Sequence, residues 1–231
     1  MSLIAITQPN FMPWIGYFDM ADRVDIFVML DDVQYIKSEW MNRNKIISNT
    51  VDGWQWINVP IQQKSQRQTI AEVSPMPDLI WKRKLCNKIQ HNYSKTPYYD
   101  RYQPNIYNIL HSPYENLADL NVALITNFLK ELGLKNNLIR SSSLRISGKR
   151  EQKLLNICKH LNAKAYLANN GSKSYLAEQI FQEEGIEFAY QDYIHPIYTN
   201  HRGEPQLKFL SILDLLFCQG PNSLDIIKKT Q

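Results

Sequence analysis

The sequence is poor in cysteine, and the three it has, Cys86, Cys158 and Cys218, are scattered and odd in number. None forms a CxxC pair. That argues against a disulfide framework and a structural zinc site, and for a reducing, cytoplasmic setting. Cys158 falls on an amphipathic helical pattern and Cys218 at the end of another, which reads as core thiols. The five histidines, His91, His111, His160, His195 and His201, include no HxH or HxxxH pair, so no metal site is expected. Walker A, GxGxxG, GxSxG, HExxH and kinase signatures are all missing, which weakens the common nucleotide, hydrolase and protease readings. No apolar run approaches the ~20 residues of a membrane span, so none is expected. The first residues lack a basic region, a long apolar stretch and a small-residue cleavage site, so no signal peptide is expected. The excess of one sign of charge is small, with 26 basic against 22 acidic residues. A net charge of +4 with 21% charged residues suits an anionic substrate and is too small to argue for nucleic acid. The cluster Lys82, Arg83, Lys84 and Lys88 reads as a solvated helix face.

What the chain does have is 231 residues, 44% of them hydrophobic, enough for a substantial core. Leu3 to Ile6 reads as a buried strand, Ile15 to Val24 as a helix, and Asp25 to Leu30 as a second buried strand. That order suggests a βαβ unit with parallel strands. Trp54 to Ile61 and Thr69 to Val73 alternate in the manner of antiparallel β structure. From about 78 to 132 the pattern is helical, cut by prolines, with its clearest helix from Leu117 to Leu132 before Gly133. Strands are then expected at Asn137 to Leu144, Lys164 to Ala168 and Ile186 to Tyr193. Helices are expected at Glu151 to Leu161, Tyr175 to Glu184 and Phe209 to Cys218. The predicted fold is a single α/β domain over 1–231. It has a Rossmann-like, largely parallel sheet, a small antiparallel element and a helical insertion.

Four polar clusters follow predicted strands. They are Gln8 to Tyr17; Asp31, Asp32 and Gln34; Ser141 to Ser143 through Arg145; and Asn169 to Ser172. Each alone is better explained by caps and turns. In a parallel sheet all four share one edge, where such folds bind ligands. The first packs two amides, Gln8 and Asn10, with Trp14 and Tyr17 at a strand-to-helix junction. Aromatics there are costly unless they cover something, and a hydrophobic plug is the plainer alternative. Asp31 and Asp32 could bind Mg²⁺, orient a substrate amine or hydroxyl, or act as caps and turn residues; no further His or carboxylate cluster completes a coordination set, which disfavours the metal. Asn42, Arg43, Asn44 and Lys45 bring amides and cations together. Arg suits phosphate or carboxylate, against the plainer reading of a surface turn. Asn170, Gly171 and Ser172 could form a small anion-binding turn. His195 is the best general-base candidate beside Asp32, although a structural histidine is the commoner case.

Gln8-Pro9-Asn10-Phe11-Met12-Pro13-Trp14-Ile15-Gly16-Tyr17-Phe18 resembles the opening motif of the WbqC-like family. So do Leu30 to Tyr35, Trp40 with Asn42-Arg43-Asn44, and Val59-Pro60. Later matches are Tyr175-Leu176, Phe181, Gly185-Ile186, Tyr190, Tyr193, Pro196-Ile197-Tyr198, Leu210 to Phe217 and Gly220-Pro221. The chain departs from the pattern at Asn169 to Ser172 and at Thr199-Asn200. The resemblance implies a role beside surface-polysaccharide genes, as a glycine or aminoacyl transferase acting on amino sugars. Asp32, His195 and Asp31 would then be catalytic. Gln8, Asn10, Trp14, Tyr17, Gln34, Asn42, Arg43, Asn44, Lys45, Ser172 and Tyr198 would bind substrate. The partners implied are a nucleotide-linked amino sugar and an acyl carrier protein; the donor would be phosphopantetheine-linked, or the enzyme would use ATP. Pro13 to Tyr17 also has the spacing of the HxGH signature of nucleotidyltransferases related to class I tRNA synthetases. Trp14 and Tyr17 stand where its histidines would be, and neither can carry their positive charge. An adenylating enzyme with a reworked site, and a non-catalytic sugar- or carrier-binding module, are the alternatives.

Overall fold

The computed structural model describes residues 2–135, 137–173, 176–199 and 207–229. Tyr175, Asn200 and His201 lie outside the described residues. The first half runs β1 (Leu3–Thr7), α1 (Ile15–Arg23), β2 (Ile26–Met29), β3 (Arg43–Ile47), β4 (Trp54–Asn58), β5 (Ile61–Gln62) and β6 (Ser74–Pro75). Three helices follow, α2 (Ile80–Tyr93), α3 (Tyr99–His111) and α4 (Leu117–Glu131), where the helical insertion was expected. The chain then forms β7 (Asn137–Arg140), α5 (Ser141–Leu144), α6 (Arg150–His160) and β8 (Ala165–Ala168). It closes with α7 (Gln179–Gln182), β9 (Glu187–Tyr190), α8 (Ile212–Gln219) and α9 (Ser223–Lys228).

Five strands form one all-parallel sheet in the order β7-β2-β1-β8-β9. β1 is central because it is apolar on both faces: Ile4 and Ala5 have no exposed surface and Ile6 is 4% exposed. Strand alternation sends Ala5, Phe27 and Met29 to one face, into a core that they share with residues of α1, α2, α3, α4, α8 and α9. Ile4, Ile6, Val28 and Tyr166 go to the other, against Leu155 and Cys158 of α6 and Phe181 of α7. Each fully buried Phe or Ile contributes roughly 1.5–3 kcal/mol of hydrophobic stabilisation.

Chain order matters more here than strand count. From β1 the chain moves outward through β2 to β7, then returns to the opposite side of β1 for β8 and β9. The reversal falls between β1 and β8, at whose carboxyl ends lie the turns beginning at Gln8 and Asn169. In open parallel sheets that crevice is the usual ligand position.

Four expectations need correction. Thr69–Val73 forms no strand, and the antiparallel partner of Trp54–Asn58 is Arg43–Ile47. Thr69 makes one isolated bridge to Gln34, and the next residues form a turn held by Glu72, whose carboxylate accepts from the Thr69 N–H and hydroxyl. The strand at Asn137 stops at Arg140, and Ser141–Leu144 turns helical because Arg140 and the serines are drawn to Asp31. Helix α7 is limited to Gln179–Gln182, and β9 ends at Tyr190. β9 stops there because the Gln191 side chain turns to bond the Gly16 carbonyl and Asp19.

Candidate functional site

The opening turn is clamped from several sides. Asn44 has its side chain buried against it, and its amide donates to the carbonyls of Phe11 (3.1 Å) and Met12 (2.7 Å). Met12 needs that support because its φ of +44° is left-handed, a conformation non-glycine residues rarely adopt. Asn121 on α4 donates to Pro9 and Met41 carbonyls, both at 2.7 Å. The Phe11 N–H donates to the Trp40 carbonyl, and the Ile212 N–H to that of Pro13. The Tyr17 hydroxyl donates to the Gln8 carbonyl and reaches the Met29 sulfur; burial pushes its pKa well above the usual tyrosine value. Tyr17 and Asn44 therefore shape the turn from inside it. Gln8 and Asn10 are half-buried at its mouth, and their side-chain amides have no partner among the described residues.

Trp14 folds back over the start of α1. A Cβ built on Gly16 would lie 2.2 Å from the indole, so any larger residue there has to displace the ring. Tyr193 (5.7 Å) and Phe209 (5.0 Å) meet the indole edge-on, and His195 stacks on it, with rings 6.3 Å apart and inclined at 13°. The half-buried His195 places Nδ1 2.9 Å from the Pro196 carbonyl. A carbonyl only accepts, so Nδ1 carries the proton and Nε2 keeps its lone pair in the neutral ring. Burial lowers the His195 pKa and Lys208 adds to the effect, against the opposing Pro196 bond. The imidazole is thus neutral near pH 7, as a base must be.

The clusters after β2 and β7 converge, but on each other. Asp31 has no exposed surface; it accepts from Arg140 Nε (2.6 Å), the Ser142 N–H (2.9 Å) and the Ser142 hydroxyl (2.8 Å). Burial alone would raise its pKa, but these partners outweigh burial and hold it below the usual carboxylate value. Arg140 also pairs with Asp119, at the start of α4. Asp32 accepts from Ser141 and pairs with Lys153 Nζ at 2.7 Å. This chain of charges locks the carboxyl ends of β2 and β7 together and leaves Asp31 saturated. Asp32 is 23% exposed in its side chain and faces Lys153 first.

Other candidates are placed less centrally. Gln34 is exposed and donates to the Gln66 carbonyl. The Asn42 amide donates to Val59, while its buried Oδ1 has no partner among the described residues. The Ser172 hydroxyl caps its own turn at Asn169, and the buried Tyr198 hydroxyl donates to Asp214. Arg43 and Lys45 lie along β3, not in a surface turn, with their cations over Trp56 and Trp54. Two hollows, of about 770 Å³ beside Asn49, Gln90 and His91 and about 400 Å³ beside Met76, Trp81 and Lys82, touch none of the candidates. All three cysteines are buried, and burial pushes the Cys158 thiol up to about 12. Among the described residues no group of His, Cys, Asp or Glu is placed to hold a metal ion. Among the same residues no helix is long and apolar enough to cross a membrane.

Sequence reasoning missed Arg140, Lys153, Asp119, Gln191, Asn121 and Phe209. Arg140 was within reach: pairing β7 with β2 sets it opposite Met29, one residue short of the Asp31 turn. The others come from distant helices and loops and carry no local signal.

Comparison with known proteins agrees with the opening motif. The sequence matches the WbqC-like protein family over residues 8–226. It is also 31% identical over 234 residues to the uncharacterized protein Rv1507c of Mycobacterium tuberculosis, covering 99% of this chain and 98% of that one. No solved structure matches. With its opening turn, its Asp31-Asp32 pair and nearly its whole length inside the match, the chain belongs to the WbqC-like protein family.

Proposed function

We propose that this protein is an acyl or aminoacyl transferase that forms an amide on the amino group of a nucleotide-linked sugar, in surface-polysaccharide biosynthesis. The observation that carries the reading is the neutral His195, with Nε2 unprotonated, stacked on Trp14 beside the opening turn. Amide formation needs a base for the amine proton and donors for the tetrahedral oxyanion. His195 Nε2 takes the proton. The amides of Gln8 and Asn10, at the mouth of the turn, serve the oxyanion. Asp32 is the weaker base candidate because Lys153 and Ser141 already occupy its carboxylate. Asp31 is assigned to holding the edge in shape. The acyl donor is a carrier-bound thioester on phosphopantetheine, whose C–S bond breaks as the amide forms; the thiolate leaves and takes up the proton held on His195. The family's association with surface-polysaccharide genes supports the acceptor class.

The test is a mass-spectrometric assay of nucleotide-linked amino sugars with acyl- and aminoacyl-loaded carrier proteins. The wild type is expected to add one acyl mass, and His195→Ala to lose at least two orders of magnitude in rate. No product with any loaded carrier would sink the reading.

A second reading, ATP-dependent adenylation or nucleotidyl transfer, draws on the strand order and on a helix beginning directly after the Trp14 position. Against it stands Tyr17, at the second histidine position, buried and committed to Gln8 and Met29. Exchange of labelled pyrophosphate into ATP would favour this reading over simple transfer.

A further inference from the structure

Three of the chain's five tryptophans cluster at the β3–β4 hairpin. Alternation along the hairpin buries Asn44, Ile46 and Ile57 and leaves Arg43, Lys45, Trp54 and Trp56 half-exposed on the other face. There the cations and indoles interleave. The Arg43 guanidinium carbon lies 4.1 Å from the Trp56 ring centre. Lys45 Nζ lies 4.0 Å from that of Trp54 and 5.4 Å from that of Trp56. Trp40, 40% exposed, extends the series 5.7 Å beyond Trp56.

Two features set this face apart from a shield over the hairpin. Among the described residues neither Arg43 nor Lys45 has a carboxylate within ion-pair distance, and neither side chain donates a hydrogen bond. The Arg43 guanidinium and the Lys45 ammonium lie over indole rings, which take up no N–H hydrogen-bond donor. Lys88 adds a third positive charge at the β4 edge, its Nζ donating to the Trp56 carbonyl at 3.2 Å. A small hollow of about 180 Å³ beside Asn58 also takes in Lys84 and Lys88. Unbalanced, oriented cations beside exposed aromatic faces fit an anion that carries a flat ring.

We propose that this face binds a nucleoside diphosphate, with the diphosphate on Arg43 and Lys45 and the base against Trp40. Residues two apart on one strand face are ~6.5–7 Å apart, a spacing at which two cations can grip the two ends of a diphosphate. Arg suits a phosphate edge-on, Lys serves as a point charge, and indole faces accept any base. Position supports the assignment. The Ser211 N–H donates to the Lys45 carbonyl, and Ser211 bridges to Trp14. Lys45 therefore stands two strand spacings, ~10 Å, from Trp14. A sugar attached to the diphosphate can extend from this face toward His195. The inference rests on the reading of a nucleotide-linked acceptor and places its nucleotide half on the hairpin.

The experiment is calorimetric titration of the whole protein with UDP, dTDP, GDP, CDP and ADP, with inorganic pyrophosphate, 4′-phosphopantetheine and a dT oligomer alongside. At least one nucleoside diphosphate is expected to bind. Arg43→Gln and Lys45→Gln should each weaken it by about tenfold or more, the loss of one charge-assisted contact. Trp40→Ala should weaken the nucleotide and leave pyrophosphate unchanged. If Arg43→Gln fails to fold, Lys45→Gln and the exposed Trp40→Ala decide the matter. The proposal is overturned if none of the five diphosphates binds. It is equally overturned if binding ignores these substitutions, or if 4′-phosphopantetheine or the oligomer is the tighter, substitution-sensitive ligand. The two readings separate cleanly. Acyl transfer with nucleotide binding indifferent to Arg43 and Lys45 defeats the site alone. Sensitive binding without any transfer defeats the enzyme reading alone.

Discussion

Gly16→Ala sets two effects of opposite sign against each other. Alanine in place of glycine in a helix stabilises by up to about 1 kcal/mol. Against that, the new Cβ would lie 2.2–2.6 Å from three atoms of the Trp14 indole. Ordinary carbon–carbon separations are about 3.5–4.0 Å, so the ring has to move by more than ~1 Å. It is not free to do so, with Tyr193, Phe209 and His195 packed on it. Overpacking of this kind costs roughly 1–3 kcal/mol, and pulling the indole off an aromatic neighbour costs about 0.5–1.5 kcal/mol more. The clash wins, and the expected net loss is about 1–3 kcal/mol in urea unfolding, with altered near-ultraviolet circular dichroism. In a Trp14→Ala background the obstacle is gone, and the same substitution should stabilise by up to about 1 kcal/mol. A single Gly16→Ala variant with a raised midpoint and unchanged aromatic dichroism would refute the packing argument.

Asp31→Asn should cost about 3 kcal/mol by urea titration, the lower end for breaking a buried ion pair because Arg140 keeps Asp119. Because the Asp31 pKa is lowered on folding, its contribution is present above the unfolded value of about 3.9 and lost as pH falls through the folded one. Acid unfolding of the variant should accordingly show a shallower pH dependence; an unchanged slope would contradict the assignment. Asn44→Ala strips two carbonyls of the opening turn of their donor and should destabilise by roughly 2–4 kcal/mol, measured by thermal or urea denaturation. For His195, activity should rise with pH through an apparent pKa below the ordinary 6.5 and stay level above it, since burial favours the neutral ring. A limb above 7 in kcat/KM would point to another base.

The strand-helix-strand opening was legible because β1 and β2 are apolar on both faces and a strongly periodic helix joins them. The polar clusters after β1, β2, β7 and β8 were legible as one edge once the strands were taken as parallel. What each cluster does was not. Asp31 and Asp32 look free in sequence, and only packing shows that Arg140, Ser141, Ser142 and Lys153 occupy them. Asn44 reads as a substrate amide and proves to hold the Met12 turn. Arg43 and Lys45 read as phosphate-binding candidates, with a surface turn as the plainer alternative and no strand signal. Their strand character depends on Trp54–Asn58 as a partner, and pairing across a hairpin is a non-local choice.

By itself, then, the amino-acid sequence determined the secondary elements with clear hydrophobic periods, the parallel character of the sheet and, through the opening motif, the family. Those properties are local, or repeat along the chain. Tertiary structure alone decided which polar groups are consumed and which are left over. Saturation of a carboxylate, the stacking of His195 on Trp14 and the placing of two cations over the indoles of β4 all depend on partners brought together by the fold. The energy of a polar group is set by those partners.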